Sequence, residues 1–187
     1  MTSAFEDYST YYNFLYQGKD YQGEVNYLES IFSQHRLQGK DLLEFGSGTG
    51  GHASILSGRG FKICGVEQSA KMVAQAKISE NFTCVQGDVR SVDMAKTFDA
   101  VISLFHVMSY QIGNNDLKAV FYNAAKHLNS NGLFIFDFWY SPAVYAQQPE
   151  VRIKRMSNNE YEVLRIAEPK IINSENRVDV QIGRAHV

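Results

Sequence analysis

The sequence predicts an α/β fold: a mostly parallel sheet layered between helices, followed by a smaller antiparallel appendage. Three observations lead there. Short apolar runs alternate with amphipathic stretches from about residue 41 to residue 138, the pattern of βαβ units. The first of those runs stops at an acidic residue and a glycine-rich turn, Leu42-Leu43-Glu44-Phe45-Gly46-Ser47-Gly48-Thr49-Gly50-Gly51. After Ser141-Pro142 the pattern becomes an alternation of apolar and polar residues, as in antiparallel ribbon.

The elements follow in order. Residues 4–17 read as a short helix ended at Gly18. Tyr21, Val25, Leu28 and Phe32 are spaced by fours and threes, which predicts a helix over 20–36 with one buried face. Strands are expected at 41–45, 61–66, 82–86, 98–104 and 133–138. Between them lie helices at about 50–58, at 70–80 behind an N-cap at Ser69, and from Asn114 or Asn115 to 128. The last of these carries the stripe Leu117, Val120, Phe121, Ala124 and Leu128. Asn131-Gly132 reads as the connection into the fifth strand. Beyond it, 151–156, 160–167 and 176–182 read as antiparallel strands, with Asn158-Asn159 as a turn. The chain divides into a helical cover at 1–38, a core at 39–140 and a β flap at 141–187.

Composition narrows the function. The chain has 187 residues, 44% of them apolar, and a net charge of −2 without a basic cluster. That suits a domain with a sizeable core and argues against a nucleic-acid groove. No run approaches the ~20 apolar residues of a membrane span, and no leader is evident, so a cytoplasmic protein is the default. Cys64 and Cys84 fall inside strands and read as reduced core residues rather than a disulfide or metal pair. His35, His52 and His127 are scattered on helices and make no metal set. Five tyrosines between Tyr8 and Tyr21 suggest either a packed aromatic helix or a cover over a pocket.

The chemistry centres on the glycine turn. Glycines permit positive φ and close approach of a ligand to the backbone, and the following helix offers unpaired N–H groups to an anionic group. Such a turn alone suits nicotinamide dinucleotides, flavins or nucleotides. The GxGxG spacing differs from the dinucleotide GxGxxG, although Gly51 blurs the distinction. Glu67 ends the second strand, 21 residues after Gly46. A carboxylate there can accept from both hydroxyls of a ribose. Asp88, after the third strand, can accept from an adenine amino group.

Glu44 to Gly50, then Gly65-Val66-Glu67, Gly87-Asp88 and Phe98-Asp99-Ala100-Val101 together resemble the class I S-adenosylmethionine-dependent methyltransferases over about residues 40–138. The resemblance implies a Rossmann-like three-layer sandwich and S-adenosyl-L-methionine as cofactor. Glu44, Gly46, Ser47, Gly48 and Gly50 would hold its methionine part, Glu67 its ribose and Asp88 its adenine. Gln68 and Val89 would flank the ring, and Phe105 would join the same site. The flanks add a narrower resemblance. Tyr11 to Tyr21, Leu104 to Tyr110, and Asp137-Phe138-Trp139-Tyr140 are similar to the methyltransferases of nucleotide-linked amino sugars. That implies a small-molecule methyl acceptor, with a homodimer left open, and Tyr12 close to the cofactor. Tyr110 stands where that group has a histidine, and His106, one turn earlier, is the alternative base. Trp139 and Tyr140 are expected as pocket wall.

Members of that family continue with a helix and two more strands. Ile182 to Val187 look like the in-frame translation of a sequencing adapter, which predicts a natural sequence ending near Gln181 and a fold short of its last strands. The competing functional readings are O-methylation of a small metabolite, a nicotinamide-dependent oxidoreductase, and an inactive cofactor-binding fragment.

Overall fold

The computed structural model describes residues 12, 15–157 and 162–186. The chain forms two compact units, Met1–Phe138 and Trp139–Val187.

The first unit begins, after a helical turn that includes Tyr12 and Leu15, with helix α1 at Tyr21–Gln34. The rest of the expected helix at 4–17 lies outside the described residues. Asp20 caps α1 by accepting the N–H of Gly23 at 2.8 Å. Val25, Leu28 and Phe32 are buried, and Tyr21 is half-buried. There follow β1 (Asp41–Phe45), α2 (Gly51–Gly58), β2 (Lys62–Glu67), α3 (Ala70–Gln75), β3 (Phe82–Gln86) and β4 (Phe98–Ser103). A 3₁₀ turn at Val107–Tyr110, α4 (Asn114–Lys126) and β5 (Leu128–Phe136) complete the unit.

The five strands are parallel, in the order β3-β2-β1-β4-β5. The chain runs outward from β1 to β3, then returns to the other side of β1 with β4. That reversal opens a crevice at the carboxyl ends of β1 and β4, where ligands of such sheets bind. Strand alternation sorts the core into two layers. Leu42, Ile63, Ala100 and Ile102 pack with Val25, Leu28 and Phe32 of α1 and Ala53 and Leu56 of α2. Leu43, Phe45, Val66 and Val101 pack on the opposite face with Val120 and Ala124 of α4. Glu44 shares the face of Leu42 and is therefore turned toward α1 and α2.

Four local expectations are corrected. The helix expected to reach residue 80 stops at Gln75, because Ala76 is extended and Ser79 and Phe82 exchange N–H···O bonds of 3.0 and 3.2 Å. The cap of α4 is Gly113 rather than Asn114 or Asn115. Strand β5 starts at Leu128, and Asn131-Gly132 lies within it. Its pairing jumps from Phe98↔Leu128 to Ala100↔Leu133, and the loop so formed holds Asn131 at φ +65°. Finally, the start of the stretch expected as an antiparallel β flap forms helix α5 at Ser141–Gln147, with Pro142 in its first turn. Proline needs no N–H partner there. Cys64 and Cys84 are free and half-buried on neighbouring strands.

The second unit contains α5 and an antiparallel sheet in the order β6-β7-β8. These strands span Arg152–Ser157, Glu162–Ile172 and Arg177–His186. The expected turn at Asn158-Asn159 lies outside the described residues. Residues 182–186 belong to β8, whose pairing with β7 runs from Ile172↔Arg177 to Val163↔His186.

Candidate cofactor site

The glycine turn is fastened from below and from the side. Gly46 and Ser47 both donate their N–H to the carbonyl of Val66, at 2.8 and 3.1 Å. Gly46 and Gly50 lie at φ +71° and +83°, values that L side chains rarely adopt. A Cβ on Gly46 would meet Val107 at 2.4 Å, and one on Gly50 would meet the buried ring of Phe82 at 2.3 Å. The turn therefore takes this path only because both positions lack side chains.

Glu67, at the end of β2, reaches over to the turn that follows β1. Its Oε2 accepts the N–H of Gly48 at 3.0 Å, and its Oε1 accepts the N–H of Ser69 at 2.8 Å. Each carboxylate oxygen keeps a lone pair for a further donor. Glu44 is buried beneath the turn, and its Oε2 has no hydrogen-bond partner among the described residues. An orphan acceptor in that position is costly unless a donor arrives. Ser47 Oγ lies 3.4 Å from the Cys84 sulfur. Burial pushes the Cys84 thiol above its ordinary value, so it stands as a packed thiol rather than a nucleophile.

Asp88 lies after β3, where Gly87 donates its N–H to the Glu67 carbonyl at 3.0 Å. Its carboxylate is forked by Arg90: Nε lies 3.0 and 3.1 Å from the two oxygens and Nη2 lies 2.6 Å from Oδ2. That hydrogen bonding holds Asp88 below its ordinary carboxyl range. Arg90 also reaches Asp116 at 2.8 Å. Val89 is half-buried against the α4 layer, its carbonyl accepting from Asn123 at 2.9 Å. Gln68 is exposed and its carbonyl accepts from Gln86 at 3.2 Å.

The loop after β4 closes over the turn. Phe105 and His106 both take φ near +65°, at +64° and +65°. Asp137, just past β5, holds them there by accepting both N–H groups, at 2.9 and 2.6 Å. The Tyr16 ring stands edge-on to Phe105 with centroids 4.9 Å apart, and packs on Tyr12 at 4.9 Å. A Cβ on Gly48 would lie 3.7 Å from the Tyr12 hydroxyl. The Lys19 ammonium sits 4.3 Å from the Tyr21 ring centre and 4.6 Å from that of Phe105.

Glu44, the turn glycines, Glu67, Phe105, His106 and Tyr12 are thus gathered at one end of the sheet. Tyr110, on the 3₁₀ turn, is 62% exposed. Trp139 and Tyr140 belong to the second unit and are largely exposed. Three participants escaped the sequence reading: Asp137 as the clamp of the β4 loop, Arg90 on Asp88, and His52 between Glu24 and Glu44. A histidine two residues after Gly50, at the start of the helix behind the turn, was the available signal for the last. Among the described residues, no group of three or more His, Cys, Asp or Glu side chains is arranged to hold a metal ion, and no helix is long and apolar enough to cross a membrane.

Residues 42–132 match the family model described as a methyltransferase domain. That stretch resembles a methyltransferase domain.

The domain is similar to a dTDP-3-amino-3,4,6-trideoxy-alpha-D-glucopyranose N,N-dimethyltransferase of Streptomyces venezuelae, 28% identical over 75% of this chain and 60% of that protein. The chain spans between half and two thirds of the length of that relative and of a second, from Streptomyces fradiae, at 60% and 52%. Among solved structures, the sugar N-methyltransferase KedS8 from a Streptoalloteichus species superposes with a TM-score of 0.79 at 23% identity, covering 94% of this chain and 77% of that one. That likeness establishes the fold: a Rossmann-like α/β sandwich with an added antiparallel sheet.

Proposed function

We propose that this methyltransferase domain transfers a methyl group from S-adenosylmethionine to the amine of a nucleotide-linked sugar. One observation carries the reading. The glycine turn is clasped by Glu67 across the ends of β1 and β2, with the unpaired Oε2 of Glu44 beneath it. These residues fit the cofactor. The bare glycine backbone and the Glu44 oxygen suit the amino-acid end, Glu67 the ribose hydroxyls, and Asp88, Val89 and Gln68 the adenine. Phe105 supplies an apolar wall.

When bound, the cofactor supplies a methyl group already activated on a sulfonium, so position and exclusion of water dominate the chemistry. Tyr12 and Tyr16 cover the turn from the N-terminal side, and Phe105 covers it from the β4 loop. His106 stands on that loop, held by its backbone to Asp137, with its Nδ1 3.9 Å from the Asp137 carboxylate. It would take the proton that an ammonium must lose before it can attack. Tyr110 has the weaker claim, because its side chain is turned largely to solvent. The amine-sugar acceptor is supported by the similarity to the Streptomyces venezuelae dimethyltransferase and by the tyrosine-rich cover.

Calorimetric titration tests the reading. S-Adenosylhomocysteine should bind and NAD should not; the opposite result would overturn it. Glu67→Ala should weaken S-adenosylhomocysteine binding by about 2 kcal/mol, the scale of charge-assisted hydrogen bonds. Undiminished affinity removes Glu67 from the site. A screen of dTDP-linked amino sugars against hydroxylated analogues, followed by mass, separates N- from O-methylation.

A further inference from the structure

His52 is the second residue of α2 and is 5% exposed. Both of its ring nitrogens face carboxylates. Nε2 lies 2.6 Å from Oε2 of Glu24 on α1. Nδ1 lies 3.4 Å from Oε1 of Glu44 on β1, a long contact that carries charge more than hydrogen bonding. A neutral imidazole has one N–H and one lone pair, so it must turn a lone pair toward one of these carboxylates. An imidazolium donates to both.

The surroundings are consistent with the charged form. Among the described residues, the titratable and charged groups facing the ring are Glu44 from β1, Glu24 and Tyr21 from α1, and Lys19 from the segment before α1. The Lys19 side chain is 9% exposed and pairs with Glu24. Two carboxylates then face two cations, and deprotonating His52 leaves the cluster with an excess negative charge. Burial opposes charging of His52, but the Glu44 carboxylate and then Glu24 outweigh it, and the imidazole titrates above its ordinary value of 6.5. The start of α2 also opposes a positive charge through its dipole, a diffuse effect beside two carboxylates in contact.

The cluster joins the cover to the turn. The Tyr21 ring lies edge-on to His52 with centroids 4.9 Å apart. A Cβ on Gly51 would meet that ring at 2.5 Å, so α1 rests directly on the helix that starts at the turn. Lys19 in turn lies over Phe105.

We propose that His52 is a positioning residue: as an imidazolium it clasps Glu24 of α1 to Glu44 beneath the glycine turn, and so couples seating of the N-terminal cover and cofactor affinity to one proton. The coupling rests on the cofactor reading above; the clasp itself does not. While His52 is charged, one Glu44 oxygen is neutralised and the other stays available. Once it is neutral, α1 loses its charged tie to the residues beneath the turn, and the cover that closes on the cofactor is seated less firmly.

Two measurements on the full chain separate these parts. The first is the proton-NMR titration of the His52 imidazole in ligand-free protein, assigned by its loss in His52→Gln. A midpoint above 6.5 supports the clasp, and one at or below 6.5 overturns it. The second is S-adenosylhomocysteine affinity between about pH 6 and pH 8. Affinity should fall about three- to tenfold as pH rises through the midpoint, and the fall should vanish in His52→Gln. A flat wild-type profile overturns the coupling. Absence of binding at every pH overturns both the coupling and the cofactor reading, and the ligand-free titration still decides the clasp. Should His52→Gln fail to fold, Glu24→Gln removes the tie from its exposed end and should lower the midpoint; an unmoved midpoint overturns the clasp.

Discussion

The carboxylate of Asp137 accepts the backbone N–H of His106 at 2.6 Å. Its second oxygen accepts the neighbouring N–H of Phe105 at 2.9 Å. The two residues it holds are consecutive and both left-handed, a conformation that costs a non-glycine residue about 1–2 kcal/mol. Asp137 thus ties the end of β5 to the loop that carries the proposed base. Asp137→Ala leaves two N–H groups without their acceptor and releases that strain. It should lower stability by about 2–3 kcal/mol and the melting temperature by roughly 5–10 °C. Turnover should fall with it, because His106 and Phe105 lose their place. Thermal unfolding and steady-state kinetics check both, and an unchanged melting temperature contradicts the clamp.

Arg90 occupies most of the acceptor capacity of Asp88. Its backbone N–H, Nε and Nη2 all point at that carboxylate, the first at 2.9 Å. An adenine amino group must share what remains. Arg90→Ala should therefore tighten S-adenosylhomocysteine binding at neutral pH by about threefold, the scale of a solvent-exposed ion pair. The Asp88 carboxyl should also return toward its ordinary range. The sign of the acid limb follows. Asp88 is depressed in the folded state, so its stabilising effect is complete above the unfolded value and fades as pH falls through the folded one. The variant should lose that part of the acid dependence. Calorimetry and acid titration of the melting temperature test the two effects separately, and weaker binding would mean that Arg90 orients Asp88 rather than competing for it.

The parallel sheet was legible because its signals are local and repeated. Leu42, Leu43 and Phe45 are apolar for burial on both faces, and Gly46 and Gly50 mark a turn that side chains forbid. Glu67 and Asp88 were legible as strand-end carboxylates. What they bind within the protein was not. The Glu67 bond to Gly48 and the Arg90 fork on Asp88 depend on side-chain direction, which periodicity does not encode. His52 was read as a scattered helical histidine, since its partners lie 28 residues before it, at Glu24, and on β1, at Glu44. Helix α5 was missed for a different reason: Pro142 signals both a break and a first helical turn, and only the residues after it decide between them.

Two glycines of the same helical region make a paired test of the turn. Gly50 lies at φ +83°, and an added Cβ would stand 2.3 Å from the buried Phe82 ring. Gly58 ends α2 with nothing within 4 Å of such an atom. Gly50→Ala should destabilise by more than about 2 kcal/mol through backbone strain and overpacking, and should abolish S-adenosylhomocysteine binding. Gly58→Ala should stabilise by about 0.5 kcal/mol through reduced unfolded-state freedom and leave binding alone. Chemical denaturation measures both. Equal effects of the two substitutions would show that the turn has no special geometry.

His106 and Tyr110 compete for the proposed role of base, and their placement favours His106. The His106 backbone is pinned by Asp137, and its half-buried imidazole stands beside Phe105 with ring centroids 5.8 Å apart. Tyr110 is 62% exposed. His106→Ala should slow methyl transfer to an amino sugar by about 10²-fold, the lower range for loss of a general base. Its affinity for S-adenosylhomocysteine should stay within about twofold of the parent, because the proposed cofactor contacts come from the turn, Glu67 and Asp88. Tyr110→Phe should change turnover by less than about twofold, since a phenol directed to solvent contributes little to a proton transfer inside the site. Single-turnover rates with saturating cofactor isolate the chemical step. Full activity in His106→Ala together with a large loss in Tyr110→Phe would reverse the assignment.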